Sequence, residues 1–130
     1  SPAVYVPLPP AGSSTPEFGA FGHGAQVFDE EVYRSHNYPA LFSNFIAAKL
    51  PLVLFLGTGD DEFMHTDPLE MSHDLDYEAH TLYNRLRRVP TIAAEFRVIN
   101  GAHTWSTWRP LFREGLETVF HKLEQSRSAK

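Results

Sequence analysis

The run Leu52-Val53-Leu54-Phe55-Leu56 carries an apolar side chain at every position, without the alternation of a strand that has one wet face. Such a run is a strand buried on both faces of a parallel sheet, and it commits the chain to helices above and below that sheet. Leu50-Pro51 precedes it and Gly57-Thr58-Gly59 comes after it, so the expected strand covers residues 52–57. A second strand is expected over residues 93–99, ending at Asn100-Gly101, and a fragment over 3–6. Two parallel strands do not make an independent sheet. The chain therefore reads as part of an α/β domain whose earlier strands lie upstream.

Helical signals fill the intervals. Residues 29–36 place acids in a first turn, where they complement the helix dipole. Residues 38–49 space Leu41, Phe42, Phe45 and Ala48 for one buried face. Asp67, Pro68 and Glu70 form a start signal for a longer helix over about 72–88, with Leu75, Ala79, Leu82, Tyr83 and Leu86 facing inward. A helix within this crossover makes a right-handed connection the expectation. A last helix over about 106–125 offers Trp108, Phe112, Val119, Phe120 and Leu123 for burial, with Gly115 weakening its middle. Residues 1–37 are rich in proline and glycine with interleaved aromatics. They read as a lid-like segment in which Phe18 and Phe21 wall a substrate pocket, or equally as a surface loop whose phenylalanines tuck onto the core.

Chemistry gathers where the strands end. The first strand delivers Asp60 and Asp61 on a glycine turn, and the second delivers His103 after Asn100-Gly101-Ala102. A histidine held at the C-terminal end of a strand and open to a cleft is placed as a general base must be. An acid after one strand and a histidine after the next is also the second half of a Ser…Asp…His order. A histidine that merely caps a turn is the plainer alternative.

The chain resembles, from Ser1-Pro2-Ala3-Val4-Tyr5 to about Leu123, the C-terminal half of the esterase family of α/β-hydrolases that includes S-formylglutathione hydrolases, feruloyl and siderophore esterases and mycolyl transferases. Ser1-Pro2-Ala3 is similar to the turn after the strand that follows the nucleophile helix. Gly59-Asp60-Asp61-Glu62-Phe63 is similar to the acid turn, and Gly101-Ala102-His103-Thr104-Trp105 with Trp108-Arg109 to the histidine turn, Ala102 replacing a glycine. The resemblance implies the C-terminal portion of an α/β-hydrolase fold and a serine carboxylic-ester hydrolase. It assigns His103 as the base and Asp61 as the triad acid with Asp60 as runner-up. Trp105 and Trp108 read as packing around the histidine turn, with the place of Trp105 near His103 leaving the edge of the substrate pocket as its alternative. The Gly-x-Ser-x-Gly elbow that would carry the nucleophile does not occur in the sequence. The expected partners are thus a small-molecule ester and the upstream half of the same domain. The rival expectation is a non-catalytic α/β-hydrolase-like binding or scaffold module.

Composition narrows what else is open. With 42% hydrophobic and 13% aromatic residues in 130, the chain has the material of a folded core. A net charge of −5 argues against nucleic acid or an anionic membrane surface as main partner. Cysteine is absent, which removes disulfides and thiolate metal sites and selects no compartment. No apolar run approaches the roughly 18–20 residues of a membrane span. His65, Asp67, His73, Asp74, Asp76 and His80 invite a metal reading, but they show no i, i+4 pairing or other compact ligand motif. No metal and no cofactor are expected.

Overall fold

A computed structural model describes residues 4–11, 14–17, 21–64, 68–69, 71 and 74–128. Its elements run α1 (Ser14–Glu17), α2 (Glu30–His36), α3 (Tyr38–Ala48), β1 (Leu52–Asp61), α4 (Leu75–Leu86), β2 (Ile92–Ala102) and α5 (Trp105–Ser128). Among the described residues the sheet is β1 and β2 alone, paired in parallel with α4 as the crossover. The class is mixed α/β. No helix among the described residues is long and apolar enough to cross a membrane.

Both strands alternate between two helical faces, so β1 stays apolar up to Gly57, while β2 turns Glu95 and Arg97 toward α5. Leu52, Leu54 and Leu56 join Ile92, Ala94 and Phe96 in a core closed by Leu82 and Leu86 of α4 and Val89 beyond it. Phe42 and Phe45 bring α3 onto the same cluster. Leu75, Ala79, Leu82 and Leu86 are the buried positions of α4, the inward face expected from their spacing except for half-buried Tyr83. On the opposite face Phe55 and Gly57 meet α5. A methyl group on Gly57 would lie 2.9 Å from Leu111, and one on Gly115 would lie 2.8 Å from Phe55. Gly115, expected as a weak point, instead lets α5 settle onto the strand. From β2, Glu95 pairs with Lys122 at 2.8 Å and Arg97 with Glu114 at 2.6 Å, tying the helix along its length.

Several expectations change. Both strands run further than their glycines suggested, β1 through Asp60-Asp61 and β2 through Asn100-Gly101-Ala102, because the glycines of the two strands approach and continue the ladder. Residues 4–6 form no strand: the Tyr5 carbonyl accepts from the Tyr33 hydroxyl at 2.9 Å and Asn37 Nδ2 at 2.8 Å instead of from a neighbouring strand. α5 buries Thr107, Leu111 and Gly115, and leaves Phe112 69% and Phe120 60% exposed. Trp108, Phe112 and Leu116 line an open apolar groove of about 420 Å³ against Val53 and Phe55 of β1. The expected interior stripe of α5 is therefore largely a surface of the chain, as is Leu41 of α3. The start signal at Asp67 and Glu70, and Ser72, lie outside the described residues.

Gly115→Val tests the close approach of α5 to β1. It should destabilise the protein by about 1–3 kcal/mol through overpacking against Phe55, while Glu117→Ala on the exposed face stays within about 0.5 kcal/mol. Urea unfolding of both variants measures the difference.

Candidate functional site

At the C-terminal end of the sheet the strand register slips. Leu52 faces Ile92 and the same offset holds to Gly59 facing Ile99, after which Asp61 faces Ala102. One extra residue is thus accommodated on β2 at Asn100-Gly101, a bulge that bends the strand and redirects the chain leading to His103. Close packing explains the glycines here. A methyl group on Gly59 would collide with the Gly101 carbonyl, and one on Gly101 with the Thr107 hydroxyl. Gly101 also has φ +156°. Two residues later His103 leaves the strand, just before α5 begins, and the Thr104 carbonyl accepts the first helical N–H groups from Thr107 and Trp108.

His103 meets a carboxylate there, and it is Glu62. The imidazole Nδ1–H donates to Glu62 Oε2 at 2.6 Å. Glu62 has no solvent exposure, and its other oxygen accepts from the Gly59 N–H at 2.9 Å and the Thr58 hydroxyl at 3.1 Å. Thr58 is itself fully buried. The glutamate folds back over the end of β1, through a turn closed by Met64 N–H on the Asp61 carbonyl. Burial pushes its carboxyl up, and the hydrogen bonds from His103 and Gly59 more than reverse that, leaving it below the ordinary glutamate value.

The two aspartates expected as the acid do other things. Asp61 continues β1, pairing across the bulge with Ala102. Asp60 accepts the Gly101 N–H at 2.9 Å on one oxygen and lies 3.5 Å from Asn100 Nδ2 on the other. Its carboxyl is held below the usual aspartate value, chiefly by the Gly101 N–H. Neither is the partner of His103 Nδ1. Glu62 was missed because the choice of acid followed the family resemblance, which points to the second aspartate of the turn. With β1 running to Asp61, the first acid beyond the strand is Glu62.

Aromatic rings enclose the histidine from the α5 side. Trp108 meets the His103 ring edge-on at 4.6 Å, and Trp105 meets Trp108 edge-on at 5.2 Å. Trp105 is 68% exposed and reaches the histidine only through Trp108 among the described ring contacts. Phe21 packs instead on Tyr33 at 4.8 Å and Phe28 at 6.5 Å. It belongs to a separate aromatic cluster under residues 21–37, among whose described contacts the histidine does not figure. Phe18 lies outside the described residues, as does Ser1-Pro2-Ala3. No group of three or more metal-ligating side chains gathers among the described residues. Of the cluster weighed for a metal, His65, Asp67 and His73 lie outside them, and His80 stacks on Phe96 at 5.2 Å.

Chemically, the arrangement is a buried carboxylate locking one histidine tautomer and stabilising the imidazolium that proton uptake would create. No family model matches the chain, and comparisons with curated proteins and with solved structures give no match.

Acid stability tests the Glu62 environment. Because its folded pKa lies below the ordinary value, protons bind the unfolded chain first as pH falls. The stabilisation is present in full above pH 4.5 and is lost as pH drops through the lower folded value. Glu62→Gln should cost stability at neutral pH and flatten the decline of unfolding free energy below pH 4.5, as read from urea titrations across that range.

Proposed function

We propose that the chain supplies the acid and the base of a serine carboxylic-ester hydrolase of the α/β-hydrolase class, with Glu62 as the acid in place of Asp61. The observation that carries this reading is the 2.6 Å bond between His103 Nδ1 and a glutamate with no solvent exposure. A merely structural histidine does not call for a desolvated carboxylate fixed by both a backbone N–H and a hydroxyl. A general base does, because it must hold one tautomer and carry a transient charge.

In this reading a serine from polypeptide outside this chain attacks the ester carbonyl. His103 takes the serine proton through its second ring nitrogen and returns it to the departing alcohol. Glu62 keeps Nδ1–H oriented and stabilises the imidazolium while remaining ionised. In this reading the oxyanion donors come from the same polypeptide segment as the nucleophile. Transfer to an acceptor other than water would use the same two residues. Two surfaces support the reading: the edge of β1 that is left open among the described residues, and the apolar groove between β1 and α5. Further strands and helices of such a sheet dock on surfaces of this kind.

Kinetics of the full-length protein test the assignment. His103→Ala and Glu62→Gln should each lower ester turnover by about 10³–10⁴-fold, and Asp61→Asn should stay close to wild type. Turnover unchanged in His103→Ala would contradict the proposal. Mass spectrometry after exposure to a fluorophosphonate should find a single serine adduct on the active protein. A protein that takes no adduct and turns over no ester is the non-catalytic module instead.

A further inference from the structure

We infer that Asp60 is a positioning residue for His103, acting through the backbone of the bulge rather than through the imidazole. The inference rests on the hydrolase reading for its kinetic consequence, but not for its geometry. The bulge at Asn100-Gly101 puts an extra residue into β2, and an extra residue in a ladder leaves a backbone N–H without its regular partner. Asp60 supplies that partner. Its Oδ1 accepts the Gly101 N–H at 2.9 Å, and its Oδ2 faces Asn100 Nδ2 at 3.5 Å.

The clamp thus spans the two strands at the point where their register changes, two residues before His103. Space on the other side is closed by Gly59, Gly101 and Thr107, which leave no room for an added methyl group. The turn is pressed from within by packing and held from the strand end by the Asp60 carboxylate. Glu62 fixes the imidazole about its own axis, whereas Asp60 fixes the backbone from which the imidazole hangs. The sequence pattern offered Asp60 as the alternative acid; its oxygens are committed to the neighbouring turn.

Asp60→Ala removes both acceptors, and Asp60→Asn keeps one at the Oδ1 position. In the full-length protein Asp60→Ala should lower kcat by about 10–100-fold, the scale of a slightly misplaced catalytic group. KM for a small ester such as a p-nitrophenyl ester should stay near wild type, because Asp60 does not touch substrate. Asp60→Asn should recover most of the lost kcat. Amide hydrogen exchange at Gly101 should speed up in Asp60→Ala and return toward wild type in Asp60→Asn. An unchanged kcat in well-folded Asp60→Ala overturns the inference. So does an equal loss in both variants, which would mean that charge near the imidazole, not the hydrogen bond to the turn, was what mattered. If the wild-type protein turns over no ester, the hydrolase reading fails, and Gly101 exchange still decides: unchanged exchange in Asp60→Ala refutes the clamp.

Discussion

The hydrogen bond between Glu62 and His103 is the interaction on which the rest of the site depends. A carboxylate removed from water is tolerated only where its charge is matched and its oxygens are satisfied. Here the imidazole N–H, the Gly59 N–H and the Thr58 hydroxyl satisfy the oxygens and direct three positive dipole ends at the charge. Deleting such a partner commonly costs about 3–5 kcal/mol, because the remaining groups stay buried and unpaired. The pair therefore links the ends of β1 and β2, and the loss of either partner would be felt at both. It also gives the histidine one orientation, which a surface imidazole would not have.

Everything around the pair can be traced to how closely two strand ends and one helix approach. Gly59 lies against the Gly101 carbonyl, and Gly101 against Thr107 at the start of α5. That contact lets Thr107 be buried and α5 begin directly after His103. Further along the same helix, Gly57 with Leu111 and Phe55 with Gly115 keep α5 low on the strand. The alternation of β1 then does the rest. Its even positions from Leu52 to Leu56 face α4 and the leucine core, its odd positions face α5, and its polar residues Thr58, Asp60 and Asp61 come at its C-terminal end. The glycines are spacing devices between backbone and helix, and the geometry of the site depends on their absence of side chains.

Much of this was legible in the residues. The unbroken apolar run announced a doubly covered strand, and the Leu75-Ala79-Leu82-Leu86 spacing announced the helix that covers one side. His103 was readable as the residue that leaves a strand at a glycine. The carboxylate that meets it was not, for a specific reason. The resemblance pointed to Asp61, whereas the carboxylate that meets His103 is Glu62, one residue beyond the end of β1. Gly57-Thr58-Gly59 looks like a turn when read alone, and the expected strand stopped there. It remains a strand because its partner also carries glycine at the point of closest approach, and pairing between two segments far apart in sequence leaves no local trace. The outward stripe of α5 was misjudged differently: apolar spacing reports a face that avoids water without saying which neighbour covers it. Among the described residues, the sheet takes Leu111 and Gly115 and leaves Phe112 and Phe120 outside.

Whether a buried glutamate holds the histidine is open to direct observation by proton NMR of the full-length protein. A proton shared between His103 Nδ1 and a desolvated carboxylate should resonate far downfield of the backbone amides and exchange slowly with water. That signal should be present in the wild type and in Asp61→Asn, and lost in Glu62→Gln. A signal that survives Glu62→Gln and vanishes in Asp61→Asn would contradict the central role of Glu62, and would return the part of the acid to the aspartate.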